Sequence, residues 1–127
     1  MSDRILIVDD NVTNLKLVAY LMKAKGYEVA TAVDAESALE AVRSLKPRLI
    51  LMDLQLPGTD GLELTRRLKA DPDTQNIKII AVTAYAMKGD QDRAFAAGCD
   101  DYVTKPIDTR TLPETIARHL GMQEGLA

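Results

Sequence analysis

Three short runs in this chain are too apolar to have a wet face. Arg4–Val8 (RILIV), Leu49–Met52 (LILM) and Ile77–Val82 (IKIIAV) lack clean apolar/polar alternation. They are also too short for buried helices, and their β-branched content favours strands. A strand that is apolar throughout needs cover on both sides, which is the situation of a parallel sheet with helices on each face.

The intervals between these runs agree with that reading. After the first run, Leu15, Val18 and Met22 mark one face of a helix ending near Gly26. Glu28–Ala32 (EVATA) alternates as a second strand. Asp34 then stands where it can cap a helix carrying Ala35, Leu39, Val42 and Leu45, which Pro47 stops. The third strand leads to a helix over residues 60–70, with Asp60-Gly61 as cap and turn. The fourth leads to an Ala-rich helix from about Met87 to Ala97, closed by Gly98. Tyr102–Thr104 forms a fifth strand, and the last helix carries Leu112, Ile116 and Leu120. Two starts are open for it: Asp108 as cap, or Thr111-Leu-Pro-Glu114 as a capping box with an early proline. Five strands alternating with five helices predict an α/β, doubly wound parallel sheet.

At 127 residues, with no repeat, low-complexity tract or linker, a single domain over 1–127 is expected, its core about 4–120 and a short tail 121–127. No apolar run approaches the roughly 18 residues of a membrane helix, and Met1-Ser2-Asp3-Arg4 has no secretory n-region. One cysteine, Cys99, fits a reducing compartment, so a cytoplasmic location is expected. A formal net charge of -3 with mixed signs argues against nucleic acid as a main partner. Arg66-Arg67-Lys69 reads as a solvated helix face.

In doubly wound sheets, ligands bind beyond the carboxyl ends of the strands. Here those ends carry Asp9-Asp10, Asp53, Thr83 and Lys105-Pro106. Convergent carboxylates about 4 Å apart repel by roughly 4 kcal/mol at an effective dielectric of 20, so a cation is expected among them. A small set of hard oxygen ligands suits Mg²⁺ better than Zn²⁺. No G-x-x-x-x-G-K or G-x-G-x-x-G loop is present.

With ILIVDDN, LILMDLQLPGTDG, AVTAYA and YVTKP in this order and at these intervals, the chain resembles the receiver domain of two-component response regulators over about residues 4–120. VTAYAMKGD is further similar to stand-alone DivK-type regulators and to receivers attached to hybrid kinases. The resemblance implies a CheY-like, flavodoxin-like strand order 2-1-3-4-5 and phosphorylation of Asp53. It implies Mg²⁺ held by Asp10 and Asp53 directly, by Asp9 through water, and by the backbone carbonyl of Gln55. Thr83 would hydrogen-bond one phosphoryl oxygen and Lys105 would meet another. Lys105-Pro106 would be cis, the isomer that X-Pro linkages tolerate. Thr83 and Tyr102 would be the switch pair, and Gln55 and Tyr85 would tune the acyl-phosphate lifetime, a bulky Tyr85 ring slowing self-dephosphorylation. The implied partners are a histidine kinase or histidine phosphotransfer protein and a downstream protein docking on the fourth helix, fifth strand and fifth helix. A monomer or weak dimer is expected. No output domain follows the last helix in this sequence, so a stand-alone regulator is expected, one that catalyses only its own phosphorylation and slow dephosphorylation.

Each residue also has a plainer reading. Asp9-Asp10 could cap the first helix, Thr83 could be an ordinary strand residue, and Tyr102 a half-buried aromatic. Lys105-Pro106 could be a surface turn. Cys99 reads as inert, His119 as a helix-end residue, and Met22, Met52 and Met87 as packing, with Met87 also able to face a partner. A phosphatase of haloacid-dehalogenase type would also use an aspartyl nucleophile, but needs a second acid two residues on, where Gln55 stands. A flavodoxin-like cofactor binder would need a phosphate loop after the first strand.

Overall fold

The computed structural model describes residues 3–56, 61–84 and 88–123. The elements run β1 (Arg4–Val8), α1 (Val12–Ala24), β2 (Glu28–Ala32), α2 (Ala35–Leu45), β3 (Leu49–Asp53), α3 (Gly61–Ala70), β4 (Lys78–Thr83), α4 (Lys88–Ala97), β5 (Asp101–Thr104) and α5 (Leu112–Gln123). All strand pairs are parallel, and the sheet order is β2-β1-β3-β4-β5. This is the doubly wound architecture expected from the alternation.

The apolar runs divide by residue parity. Leu6, Val8, Ile50, Met52, Ile79 and Ala81 face one cluster, which receives α2, α3 and α4 through residues such as Val42, Leu64 and Ala94. Ile5, Ile7, Leu49, Leu51, Ile80 and Val82 face the other, filled by Leu15, Val18 and Met22 of α1 and Leu112, Ile116 and Leu120 of α5. The period-2 pattern is therefore real, but both phases are buried, which is why the sequence shows a continuous run.

Local signals set the helix bounds. Asp34 and Ser37 form a reciprocal capping box at α2, Ser37 N–H donating to Asp34 Oδ1 at 2.8 Å. Lys46 closes α2 in the left-handed region (φ 52°), immediately before Pro47. α1 is capped by Asn11, whose Oδ1 accepts from Asn14 N–H at 3.1 Å, not by Asp9 or Asp10. That difference leaves both acids for another purpose. On α2, Ala38 is fully buried, a position the sequence reading did not include, while Leu45 is half-buried. α5 begins directly after Thr111, and Asp108 forms the turn before it, its carbonyl accepting from Leu112 N–H at 3.1 Å. β3 and β4 each extend one residue further than the apolar runs, taking in Asp53 and Thr83. Asp60, Pro57, Tyr85 and Met87 lie outside the described residues.

Candidate functional site

The chain passes from β1 outward to β2 and then returns to β3, so strand order reverses between β1 and β3. Val8 pairs with Met52 across that boundary. The next residue on each strand is an aspartate, and the parallel register therefore sets Asp9 and Asp53 side by side at the switch point where such sheets bind ligands.

Asp53 is 1 % exposed and Asp9 4 %. One Asp53 oxygen, Oδ1, accepts from the Gln55 backbone N–H at 2.9 Å. The other, Oδ2, lies 3.2 Å from Lys105 Nζ, and the same ammonium is 3.4 Å from Asp9 Oδ2. Asp9 Oδ1 accepts from Asn11 N–H at 2.9 Å. Asp10 is exposed, yet it offers a carboxylate oxygen to the group: ligand atoms from Asp9, Asp10 and Asp53 all lie within 4.8 Å of one another. Thr83 is buried at the end of β4, and its Oγ1 accepts from Gln55 Nε2 at 3.2 Å. Lys105 is brought in by its own backbone, whose N–H donates to the Thr83 carbonyl at 2.7 Å, and the Lys105-Pro106 peptide is cis.

The electrostatics follow from that geometry. Burial raises the Asp53 carboxyl above its ordinary range, and the charge on Asp9 adds to the shift. The Gln55 N–H and the Lys105 ammonium oppose it without cancelling it. For Lys105 the balance is reversed: burial depresses the ammonium, but Asp53 and then Asp9 hold its pKa above normal. Among the described residues, one cation thus faces two buried carboxylates with a third nearby, and these residues leave the cluster short of positive charge. Clustered carboxylate oxygens without histidine or thiolate are a fit donor set for a hard divalent cation such as Mg²⁺.

Tyr102, on β5, is half-buried against the cluster beneath α2, α3 and α4. Its backbone N–H donates to Asp101 Oδ1 at 2.8 Å. The other oxygen of Asp101 holds His119 Nε2 at 2.7 Å and Arg118 at 3.1 Å. Reading His119 as a helix-end residue missed this: it is 7 % exposed and paired across to β5. The signal was present, since position 119 lies seven residues after Leu112 and three after Ile116, on the buried stripe of α5. The Gln55 side-chain bond to Thr83 was also unforeseen, and sequence spacing carries no sign of it. A cavity of about 830 Å³ between α2 and α3, floored by Val42, Leu68 and Ile77, sits at the opposite ends of the strands and includes none of these residues.

The model of the response regulator receiver domain family matches residues 5–117. The chain belongs to that family. It is 46% identical over 121 residues to the polar-differentiation response regulator DivK of Brucella anthropi, covering 95% of this chain and 98% of that protein. The receiver domain protein (CheY-like) of Methanospirillum hungatei superposes with a TM-score of 0.92 at 33% identity over the whole of both chains. The receiver domain of a Pseudomonas aeruginosa sensor histidine kinase superposes with a TM-score of 0.86 at 32% identity, covering 95% of this chain and 99% of that one, and holds a magnesium ion in its active-site cleft. The protein is thus a DivK-like receiver of a two-component system, a class that works with histidine kinases and binds Mg²⁺ in an acidic site. Among the described residues, no helix is long and apolar enough to cross a membrane.

Proposed function

We propose that Asp53 is the phosphoacceptor of this receiver. The observation that carries the reading is a buried carboxylate fixed at both oxygens, by the Gln55 N–H and by Lys105, at the edge of the sheet where Asp9 and Asp10 converge. A carboxylate already held in place needs little further ordering to attack in line, and phosphoryl transfer depends mainly on such positioning and on charge. Asp53 forms the new P–O bond as the P–N bond of a partner phosphohistidine, or the P–O bond of a small acyl phosphate, breaks. Lys105, already 3.2 Å from Asp53 Oδ2, then meets one phosphoryl oxygen, and the hydroxyl of Thr83, from the end of the neighbouring strand, donates to another. Asp9, Asp10, Asp53 and the Gln55 carbonyl are the groups that would hold Mg²⁺. When bound, the ion offsets repulsion between these acids and the incoming phosphoryl oxygens.

The catalysed turnover is confined to the chain's own Asp53, whose acyl phosphate is hydrolysed in time. Thr83, drawn toward the phosphoryl group, vacates space beside Tyr102, and rotation of that ring changes the surface of α4, β5 and α5 for a downstream protein. Phosphate comes from a histidine kinase or histidine phosphotransfer protein. Incubation with acetyl phosphate and Mg²⁺ should add one phosphoryl group, mapped by mass spectrometry to Asp53 and absent in Asp53→Asn. Folded wild-type protein that gains no adduct would overturn the assignment.

A further inference from the structure

Gln55 touches both halves of the proposed centre. Its backbone N–H fixes Asp53 Oδ1 at 2.9 Å, and its side-chain Nε2 donates to Thr83 Oγ1 at 3.2 Å. The two side chains come from neighbouring strands: Asp53 pairs with Val82, so Thr83 stands one residue past the register that ends β3, and Gln55 two residues past it. A threonine hydroxyl has one proton and two lone pairs. An amide N–H pointed at its oxygen engages a lone pair and does not consume the proton.

We propose that the Gln55 side chain is a positioning residue for Thr83, holding its buried hydroxyl in one rotamer by donating to the oxygen, so that the hydroxyl proton is the group presented to a phosphoryl oxygen on Asp53. The proposal rests on the reading of Asp53 as phosphoacceptor and Thr83 as its hydrogen-bond partner, and adds what aims Thr83. The chemistry of the position favours an amide. A glutamate of the same length could only accept, which would take the hydroxyl proton and set a fourth carboxylate beside Asp9, Asp10 and Asp53. A methionine of similar length offers no donor. A lysine would donate, but would add a second ammonium competing with Lys105 for the same acids.

The contact can be read without any ligand. In full-length protein carrying ¹³C-methyl threonine, scalar couplings should show Thr83 in a single χ1 rotamer in the wild type and a mixture in Gln55→Met, with Gln55→Leu as a second variant of different shape. Beryllofluoride affinity then closes a double-mutant cycle with Thr83→Ala. Gln55→Met should weaken beryllofluoride binding about fivefold in the wild-type background, the size of one modest hydrogen bond. In the Thr83→Ala background the same change should cost no more than about a factor of two. A Thr83 rotamer unchanged in both Gln55 variants, or a fivefold loss that persists with Thr83→Ala, overturns the proposal. If wild-type protein neither binds beryllofluoride nor is labelled at Asp53, the phosphoacceptor reading fails instead, while the rotamer measurement still decides whether Gln55 holds Thr83.

Discussion

Cys99 and Asp101 both lose water on folding, and burial pushes both acids upward, yet their surroundings leave them shifted in opposite directions. Around Cys99, burial raises the thiol to about 11; a hydrogen bond with Thr65 opposes the rise, Asp100 adds a smaller push upward and Lys69 a smaller pull down. A shift of about two units leaves roughly a hundredth of the usual thiolate near pH 8, and the thiolate is the reacting species. Alkylation of Cys99 by iodoacetamide at pH 8 should therefore run at least ~100-fold slower in native protein than in guanidinium-unfolded protein. A native rate within tenfold would show that the thiol is open. Asp101 is the contrasting acid: burial works to raise it, but His119, the Tyr102 N–H and Arg118 together hold it below the ordinary carboxylate range. A carboxyl with a depressed folded pKa contributes stability that is present above its unfolded pKa and lost as pH falls through the folded value. Asp101→Asn should thus cost about 1 kcal/mol at pH 7, and the gap should close as the pH is taken below about 4. Urea unfolding at both pH values checks this. The residue scale is where the sequence was least informative, because a pair such as Asp101 and His119 exists only once α5 lies on β5.

Two glycines separate what an element needs from what it merely tolerates. A Cβ on Gly61 would lie 2.5 Å from the Asp53 carbonyl oxygen and 2.8 Å from Leu54 Cα, both backbone atoms with little room to yield. The first turn of α3 therefore rests directly on the end of β3, and Gly61→Ala should destabilise the protein by about 2–4 kcal/mol. A Cβ on Gly89 in α4 meets nothing within 4 Å. Gly89 is the second residue of α4, where only part of the interior propensity gain applies, and Gly89→Ala should stabilise by about 0.3–0.5 kcal/mol. Guanidinium denaturation of the two variants tests the contrast, and equal effects would contradict it. Elements were legible in the sequence because each is punctuated locally: Asp34 opens α2, Pro47 follows its end, and Gly98, at φ 111°, follows α4. Boundaries slipped by a residue where function overrides composition. β3 and β4 run on to Asp53 and Thr83, polar residues that an apolar count excludes from a strand although both are buried in the sheet. The plainer reading of Asp9-Asp10 as the cap of α1 fails for a related reason. Aspartate is a good cap, but Asp9 and Asp10 turn toward Asp53, and Asn11 takes that duty.

For the molecule as a whole, acids gathered at one rim oppose folding wherever no cation is bound. Asp10 is exposed, so screening reduces its share of the repulsion, and Asp10→Asn should stabilise metal-free protein by only about 1 kcal/mol. For a chain of 127 residues that corresponds to roughly 3–5 °C in Tm. Adding millimolar Mg²⁺ should raise the wild-type Tm and leave the variant nearly unchanged, since ligation stabilises only where the site is intact. Scanning calorimetry with EDTA or MgCl₂ distinguishes these cases, and an equal Mg²⁺ response in both proteins would remove Asp10 from the site. At the opposite rim, Arg48 gathers the two ends of the fold. Its guanidinium pairs with the Asp3 carboxylate, and its NH2 donates to the Leu120 carbonyl at 3.4 Å. Residues 3 and 120 are thereby anchored to one side chain, far along the strands from Asp53. A short glycine-rich bridge between them would close the backbone into a ring, and the ring could be reopened elsewhere without disturbing the reactive edge, making the domain a natural candidate for circular permutation.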